Sequence, residues 1–339
     1  ANAAILRVTK ELVWIEEQLA AVKEGKLRTG ASDSFADRVF ANAIDTAIAA
    51  TKANFENMMF RDALKTGYYD LQSARDAYRM RCDGDAGMHA DLTARYIEVS
   101  TLLIAPFTPH TCEHVWGELL GKAGTVTKAG WPAGGVPDEK LAAAAKYLDE
   151  TCGSVRKGIA KAIAPPKKKG GGAPPAAKVC DRADVFIAGE FGGWQAVCLG
   201  ILADKFDAAA KTFPPINELL DAVKASPLAE QADFKNVLKM VMPFLKFKMT
   251  EAQTVGAEAL ATKLVFDEAG VLTENMDFVL RSCGLKELRV LRADEEGEER
   301  AAAVAGGVKV DQATPGSPAW HYHAVEDLAG AVDGMDIGK

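Results

Sequence analysis

Apolar residues recur at three- and four-residue spacing through most of the first 163 residues, which is typical of helices with one buried face. This spacing predicts helices near residues 4–19, 35–48, 56–80, 88–103, 109–120 and 139–164. Ser32 or Ser34 is the expected N-cap of the second helix. Gly67 is expected to let a neighbouring helix approach closely, since glycine otherwise costs about 1 kcal/mol in a helix. Short loops between the helices predict an up-down bundle.

The periodicity stops at Pro165, where proline, glycine and lysine predict a flexible linker over residues 165–178. Beyond it, strand-like runs at 185–188, 263–267 and 287–291 alternate with helical patterns, and Pro243 is the expected start of a new helix. Residues 293–339 are acidic and rich in alanine and glycine, which predicts a weakly ordered tail, with a strand at 321–325 as the alternative. The predicted fold is therefore mainly α, with a helix bundle over 1–164 and a small mixed α/β domain over 179–292.

The composition, 48% hydrophobic and 26% charged, is that of an ordinary globular protein. No apolar run approaches the roughly 20 residues of a membrane span, and the first ten residues show no secretory signal pattern. Six cysteines are scattered without a C-x-x-C pair, which favours reduced thiols over a disulfide framework or a zinc ribbon. We expect a cytoplasmic location, with an organelle as the alternative. Because the chain lacks an initiator methionine, we expect a fragment or a processed chain.

A proline-braced corner between two apolar helices is the most specific local pattern. Pro106 ends the first helix, and Thr108 followed by Pro109 suits the start of the next one. The same stretch contains His110, Glu113 and His114 in the order H-x-x-E-H, which occurs in zinc proteases. Such a site needs a third ligand from elsewhere, so the favoured interpretation is surface or capping groups, and no metal ligand is predicted.

The order of motifs resembles a known family. P-F-x-P-H at 106–110, E-x-x-W at 113–116 and W-P at 131–132 resemble the anticodon-binding helix bundle of class I aminoacyl-tRNA synthetases. The segments that narrow this resemblance to leucyl-tRNA synthetases of the eukaryotic cytosolic type are residues 35–40, 58–79, 95–99, 193–195, 241–244 and 264–275. The resemblance covers roughly residues 1–292 in one order.

The resemblance implies the tRNA-binding C-terminal portion of such an enzyme, which positions leucine tRNA for aminoacylation. The H-I-G-H and K-M-S-K-S motifs are absent from this sequence, so no catalytic residue is predicted and no cofactor is expected on this chain. ATP and Mg²⁺ are implied for the catalytic part, and the expected partners are leucine tRNA and the remainder of the synthetase. The alternative is a non-catalytic module that acts as a protein-interaction subunit of a larger assembly. Neither a membrane nor DNA is an expected partner.

A tRNA-binding role requires basic side chains that reach phosphates, although the net charge of −7 argues against a globally basic protein. Residues 151–180 contain seven basic residues and no acidic one. The predicted tRNA-binding residues are Arg61, Lys65, Arg75, Arg79, Arg81, Arg156, Lys157, Lys161, Lys167, Lys168 and Lys169. The alternative is a solvated helix face paired with nearby aspartates, followed by a solubilising tether.

Aromatic residues could also serve as stacking platforms for bases. Their helical and corner settings instead favour core positions for Trp116, Trp131, Trp194, Phe60 and Tyr68. A core position is favoured for Tyr69 as well, although it is the best candidate among these residues for an exposed one.

Overall fold

A computed structural model describes residues 2–164, 178–230 and 234–326. The chain divides into two compact units, Ala1–Ala142 and Ala143–Lys339. This division falls within helix α7 (Glu139–Ile163), whereas the sequence placed the end of the first domain at residue 164. From Ala143 onward α7 packs within the second unit, where the ring of Tyr147 lies 5.4 Å from that of Phe266. The predicted linker over 165–178 lies outside the described residues except for its last residue.

The first unit is built from helices, and the predicted helices are confirmed in their order. They are α1 (Asn2–Lys23), α2 (Phe35–Glu56), α3 (Phe60–Leu64), α4 (Leu71–Arg81), α5 (Ala90–Ile104) and α6 (Pro109–His114). A π-helical segment, Lys65–Asp70, joins α3 to α4, and a second one, Val115–Leu119, extends α6. Short 3₁₀ turns follow at Asp85–Gly87 and Val126–Lys128. The third predicted helix is thus continuous from residue 60 to residue 81.

Close helix packing forms the core of this unit. Phe40 of α2 stacks on Tyr78 of α4 with ring centroids 4.4 Å apart. Gly67 is buried, and a Cβ there would lie 3.0 Å from a methyl group of Thr51 and 3.3 Å from the Cβ of Leu103. The predicted close approach at Gly67 is therefore confirmed, and Ser34 is the observed cap of α2.

A buried polar network holds α2 to α4. The Tyr78 hydroxyl donates to the Asp37 carboxylate at 2.5 Å, Arg28 also pairs with Asp37, and the backbone N–H of His89 donates to the Tyr78 oxygen at 2.8 Å. Burial alone would raise the pKa of Asp37, but hydrogen bonds with Tyr78, Ser34 and Arg28 outweigh burial and hold that pKa below its usual value. Because each partner comes from a different segment, the network fixes the rotation of α4 about its axis.

The second unit contains a three-stranded sheet in the order β2-β1-β3. The central strand β1 (Lys178–Ile187) is parallel to β2 (Glu287–Arg292) and antiparallel to β3 (Ala319–Glu326). The predicted strand at 263–267 is wrong, since these residues are irregular. Their apolar side chains pack on helices instead, with Val265 against the helical core and Phe266 on Tyr147.

The helices of this unit pack either against the sheet or against one another in a separate helical core. They are α8 (Gly193–Lys205), α9 (Ile216–Lys224), α10 (Phe234–Val255), α11 (Glu268–Glu274), α12 (Met276–Cys283) and α13 (Glu298–Ala305). The 3₁₀ turns of this unit are Pro227–Glu230, Ala257–Leu260 and Val310–Gln312. Among the described residues, no helix has the length and apolar character that a membrane span requires.

Helix boundaries in the second unit differ from the sequence prediction at two places. Pro243 lies inside α10 rather than at a helix start, because the buried stripe of Val237, Val241 and Leu245 continues past it. The helix predicted over 272–283 is divided at Asn275, whose side-chain amide donates to the Val271 carbonyl at 2.8 Å and closes α11.

The tail is more ordered than its composition predicts. Residues 293–326 include α13 and β3, so the expected weak order is wrong for this part, and the alternative strand is confirmed. The physical reason is that β1 offers a second free edge to β3, while Ala303 and Val310 bury their side chains against Phe186 of the sheet. Residues 327–339 lie outside the described part of the tail.

Two glycines of α7 provide a matched test of this packing. A Cβ at Gly158 would lie 2.2 Å from the Tyr322 hydroxyl oxygen of β3, whereas a Cβ at Gly153 would meet nothing within 4 Å. We expect Gly158→Ala to lower the free energy of unfolding by about 1–3 kcal/mol through overpacking. Gly153→Ala should raise it by about 0.5–1 kcal/mol, because alanine is the better helix former. Denaturant unfolding of both variants checks this, and equal effects would contradict the packing.

Candidate nucleic-acid interface

The continuous helical stretch from residue 60 to residue 81 does not present its predicted basic residues on one face. Arg61 is exposed and has no ion pair with any described residue. Lys65 is exposed and pairs with Asp70 at 2.7 Å, which raises its pKa. Arg79 is exposed and pairs with Asp85 at 3.0 Å. These three side chains remain available at the surface of the first unit.

Arg75 is buried, and this corrects the prediction that it binds tRNA. It is only 8% exposed, and one guanidinium nitrogen donates to both Glu11 carboxylate oxygens at 2.7 Å. Its guanidinium lies 4.2 Å from the ring centroid of Trp14. Arg81 is half-buried and already has a partner within the chain. Arg75 is therefore part of the core. It also pairs with the neighbouring Asp76, which accepts two hydrogen bonds at 2.7 and 3.0 Å, so one of the aspartate pairs considered for a solvated face does form.

The basic residues of α7 lie in the second unit. Arg156 is exposed and donates to the Ser282 hydroxyl at 3.0 Å. Lys157 and Lys161 are exposed, one helical turn apart, and form no ion pair with the part of the chain that the structure describes. Lys167, Lys168 and Lys169 lie outside the described residues. Of the predicted residues that the structure describes, Arg61, Lys157 and Lys161 have neither an ion pair nor a side-chain hydrogen bond, while Arg156 is bonded to Ser282 rather than to an acidic residue.

An exposed aromatic cluster lies near Arg61 and was missed by sequence reasoning. The ring of Phe55 lies 6.1 Å from Phe60, 5.6 Å from Phe107 and 6.0 Å from Trp131. Phe60 is 54% exposed and Trp131 is 39% exposed, so their predicted core positions are wrong. Three consecutive apolar residues, Met58 to Phe60, are the signal that could have shown this, because one helix face cannot bury all of them.

Two of the other aromatic residues, Trp116 and Trp194, lie in cores as the sequence predicted. Trp116 is buried, and Trp194 packs against the helical core of the second unit with its ring 5.2 Å from that of Phe244. Tyr68 is half-buried, while Tyr69 is 42% exposed, with the Arg7 guanidinium 5.1 Å from its ring centroid.

The H-x-x-E-H stretch does not assemble a metal centre among the described residues. Glu113 accepts a hydrogen bond from the backbone N–H of Val126 at 2.9 Å, so its carboxylate has a structural role. His110 and His114 are exposed, and no third ligand in the described part of the chain joins them. Glu113 thus helps to hold the 3₁₀ turn at Val126, and the two histidines are surface groups.

All six cysteines are free thiols in the structure. Burial raises the pKa of Cys112 and of Cys198 to about 11, so neither is a thiolate near neutral pH. These two side chains act as small apolar groups in the packing and do not supply a nucleophile.

Comparison with known proteins identifies the family. Residues 37–171 match the family model described as the anticodon-binding domain of tRNA ligase, and residues 187–265 match the model described as leucine–tRNA ligase, RagD-binding domain. The chain is 42% identical over 322 residues to the cytoplasmic leucine–tRNA ligase of Arabidopsis thaliana, which covers 94% of this chain and 29% of that protein. The chain belongs to the leucine–tRNA ligase family.

Two further members of the leucine–tRNA ligase family extend the comparison. The cytoplasmic enzyme of Pongo abelii is 36% identical over 87% of this chain and 24% of that protein. The cytoplasmic enzyme of Saccharomyces cerevisiae is 34% identical over 70% of this chain and 21% of that protein. The chain thus spans less than a third of the length of these ligases. The relatives are cytoplasmic enzymes, in agreement with the expected cytoplasmic location.

Two arginines of α4 in this ligase-family chain, one buried and one exposed, allow a matched test of their contributions to stability. Arg75→Met removes the cation and leaves the Glu11 carboxylate buried, so we expect the free energy of unfolding to fall by about 3 kcal/mol. Arg79→Ala removes an exposed ion pair and should change that free energy by less than about 1 kcal/mol. Thermal and denaturant unfolding measure both changes. An Arg75 variant as stable as the Arg79 variant would contradict the inward assignment.

Proposed function

We propose that this chain is the tRNA-binding portion of a leucine–tRNA ligase and that it positions leucine tRNA for aminoacylation. The observation that carries the proposal is the match of residues 37–171 to the anticodon-binding model, together with exposed cations on helices of that region. ATP and Mg²⁺ belong to the catalytic part in this proposal. The chain's own contribution is to bind the RNA and hold it in place.

The ion pairing of each cation predicts how much it contributes. Arg61, Lys157 and Lys161 can approach a phosphate without first leaving a carboxylate, since they have no acidic partner among the described residues. Lys65 and Arg79 must exchange Asp70 and Asp85 for phosphate, so their net gain is smaller. Each cation that neutralises a phosphate releases counterions, which makes the affinity fall as salt concentration rises.

The exposed rings of Phe60 and Trp131 add a second kind of contact. Unpaired bases of folded RNA stack on aromatic side chains, and a cation beside the ring strengthens such a site. Arg61 follows Phe60 directly in α3. We therefore include this aromatic cluster in the proposed RNA-binding surface.

We also propose that the second unit binds a protein partner of the kind that its family model names, RagD. Residues 187–265 match that model, and α10 within it leaves Met240 and Phe247, two turns apart on one face, exposed. Exposed apolar side chains clustered on one helix are typical of protein-binding surfaces. A role as a protein-interaction subunit alone is not favoured, because the relatives that share the order of this chain are ligases.

Binding of the chain to folded leucine tRNA at low and at moderate salt tests the RNA proposal. Fluorescence anisotropy should show an affinity that weakens steeply with salt. In the variant Arg61→Ala/Lys157→Ala/Lys161→Ala, the slope of log K against log salt should decrease by about 2–3, since each contact contributes about 0.7–0.9.

Lys224→Ala is the matched control, because Lys224 is exposed but pairs with Asp221 at 2.9 Å. Its salt slope should equal that of the unchanged chain. No affinity for leucine tRNA, or an affinity independent of salt, would overturn the proposal.

A further inference from the structure

Two histidines and one aspartate meet on one face of the small sheet. Asp184 of β1 lies directly opposite His321 of β3 in the antiparallel register. Because side chains two residues apart on a strand share a face, His323 lies on the same side as His321. The strand register therefore brings together groups that are 137 or more positions apart in the sequence.

The three donor atoms are close enough to share one ion. Asp184 Oδ2 lies 2.7 Å from His323 Nε2 and 3.8 Å from His321 Nδ1. All three ligand atoms lie within 4.8 Å of one another, and no other grouping of this kind occurs among the described residues. Tetrahedral zinc with bonds near 2 Å separates its ligand atoms by about 3.3 Å, so small side-chain rotations would suffice.

His321 has a buried ring nitrogen that no other described group satisfies. Its Nδ1 is enclosed and has no hydrogen-bond partner, although a buried polar atom normally has one. A bound cation would supply the partner that this ring nitrogen lacks.

Arg289 and Glu299 lie beside the cluster and contribute to its net charge. Arg289 of β2 lies opposite Asp184 in the parallel register, and its Nε donates to Asp184 Oδ1 at 2.8 Å. Arg289 also donates to Glu299 of α13 at 2.8 Å. Two arginines, Arg289 and Arg182, thus face three carboxylates, those of Asp184, Glu299 and Glu287, which leaves net negative charge for a cation. The bond to Oδ1 orients the carboxylate as an outer-shell partner does, while Oδ2 faces the histidines and also accepts a longer bond from Arg289 Nη2 at 3.3 Å.

We propose that Asp184, His321 and His323 bind a divalent transition metal of the zinc class, with one coordination position left for water. Two imidazole nitrogens and one carboxylate oxygen suit zinc better than magnesium or calcium, which prefer oxygen ligands. The ligands come from β1 and β3, so the ion links the tail strand to the centre of the sheet. Metal binding then stabilises the pairing of β3 with β1.

Metal titration of the full, untagged chain tests the site. Calorimetry with Zn²⁺ should give one ion per chain, and bound Zn²⁺ should raise the unfolding temperature. Cobalt substitution should give the absorption of a nitrogen- and oxygen-ligated ion without thiolate charge-transfer bands. Thiolate bands would overturn the proposal, since the six free cysteines would then be the ligands.

Histidine variants assign the ligands. His321→Ala and His323→Ala should each weaken Zn²⁺ binding at least tenfold, with circular dichroism confirming the fold. His110→Ala/His114→Ala is the matched control, because it removes the other closely spaced histidine pair, and it should bind Zn²⁺ as the unchanged chain does. No stoichiometric binding by the unchanged chain, or loss of binding in the control instead, would overturn the assignment. The cobalt spectrum of the unchanged chain decides the ligand type even where a variant fails to fold.

Discussion

A buried ion pair between Arg75 and Glu11 is the contact on which the first unit depends. The Glu11 carboxylate accepts hydrogen bonds from Arg75 of α4 and from the Tyr96 hydroxyl of α5 at 2.9 Å, while Trp14 covers the guanidinium. A buried charge of this kind is tolerated only with such partners. Because three helices contribute to it, the pair fixes which side of α4 faces the core. Arg79, one turn after Arg75, lies at the edge of the buried stripe and remains exposed.

The helical periodicity was sufficient to predict the architecture of the first unit, and the motif order was sufficient to predict the family. The burial of Arg75 was not predictable, because the local pattern shows only its pair with Asp76, whereas its second partner, Glu11, lies 64 positions away. The exposure of Phe60 and Trp131 depends on tertiary packing around Phe55. A basic helix read from sequence alone therefore overestimates its RNA-facing charge.

The sheet of the second unit was also only partly predictable from the sequence. A local apolar run suggested a strand at 263–267, whereas the third strand comes from the tail, whose composition indicates weak order. What decides this is the second edge of β1, which pairs with a strand more than 130 residues further along the chain. The same pairing brings Asp184 opposite His321, so neither the strand order nor the histidine cluster has a local sequence signature.

The central claim is that surface cations of α3 and α7 that have no acidic partner bind leucine tRNA. Measuring the reactivity of the lysines with and without the RNA tests this claim most directly. Lysines of the chain are acetylated with and without saturating leucine tRNA, and the extent of modification at each position is read by mass spectrometry. The account predicts that the RNA protects Lys157 and Lys161, while Lys224, which is exposed and paired with Asp221, keeps its reactivity. Unchanged reactivity of Lys157 and Lys161, or equal protection of all three lysines, would contradict it.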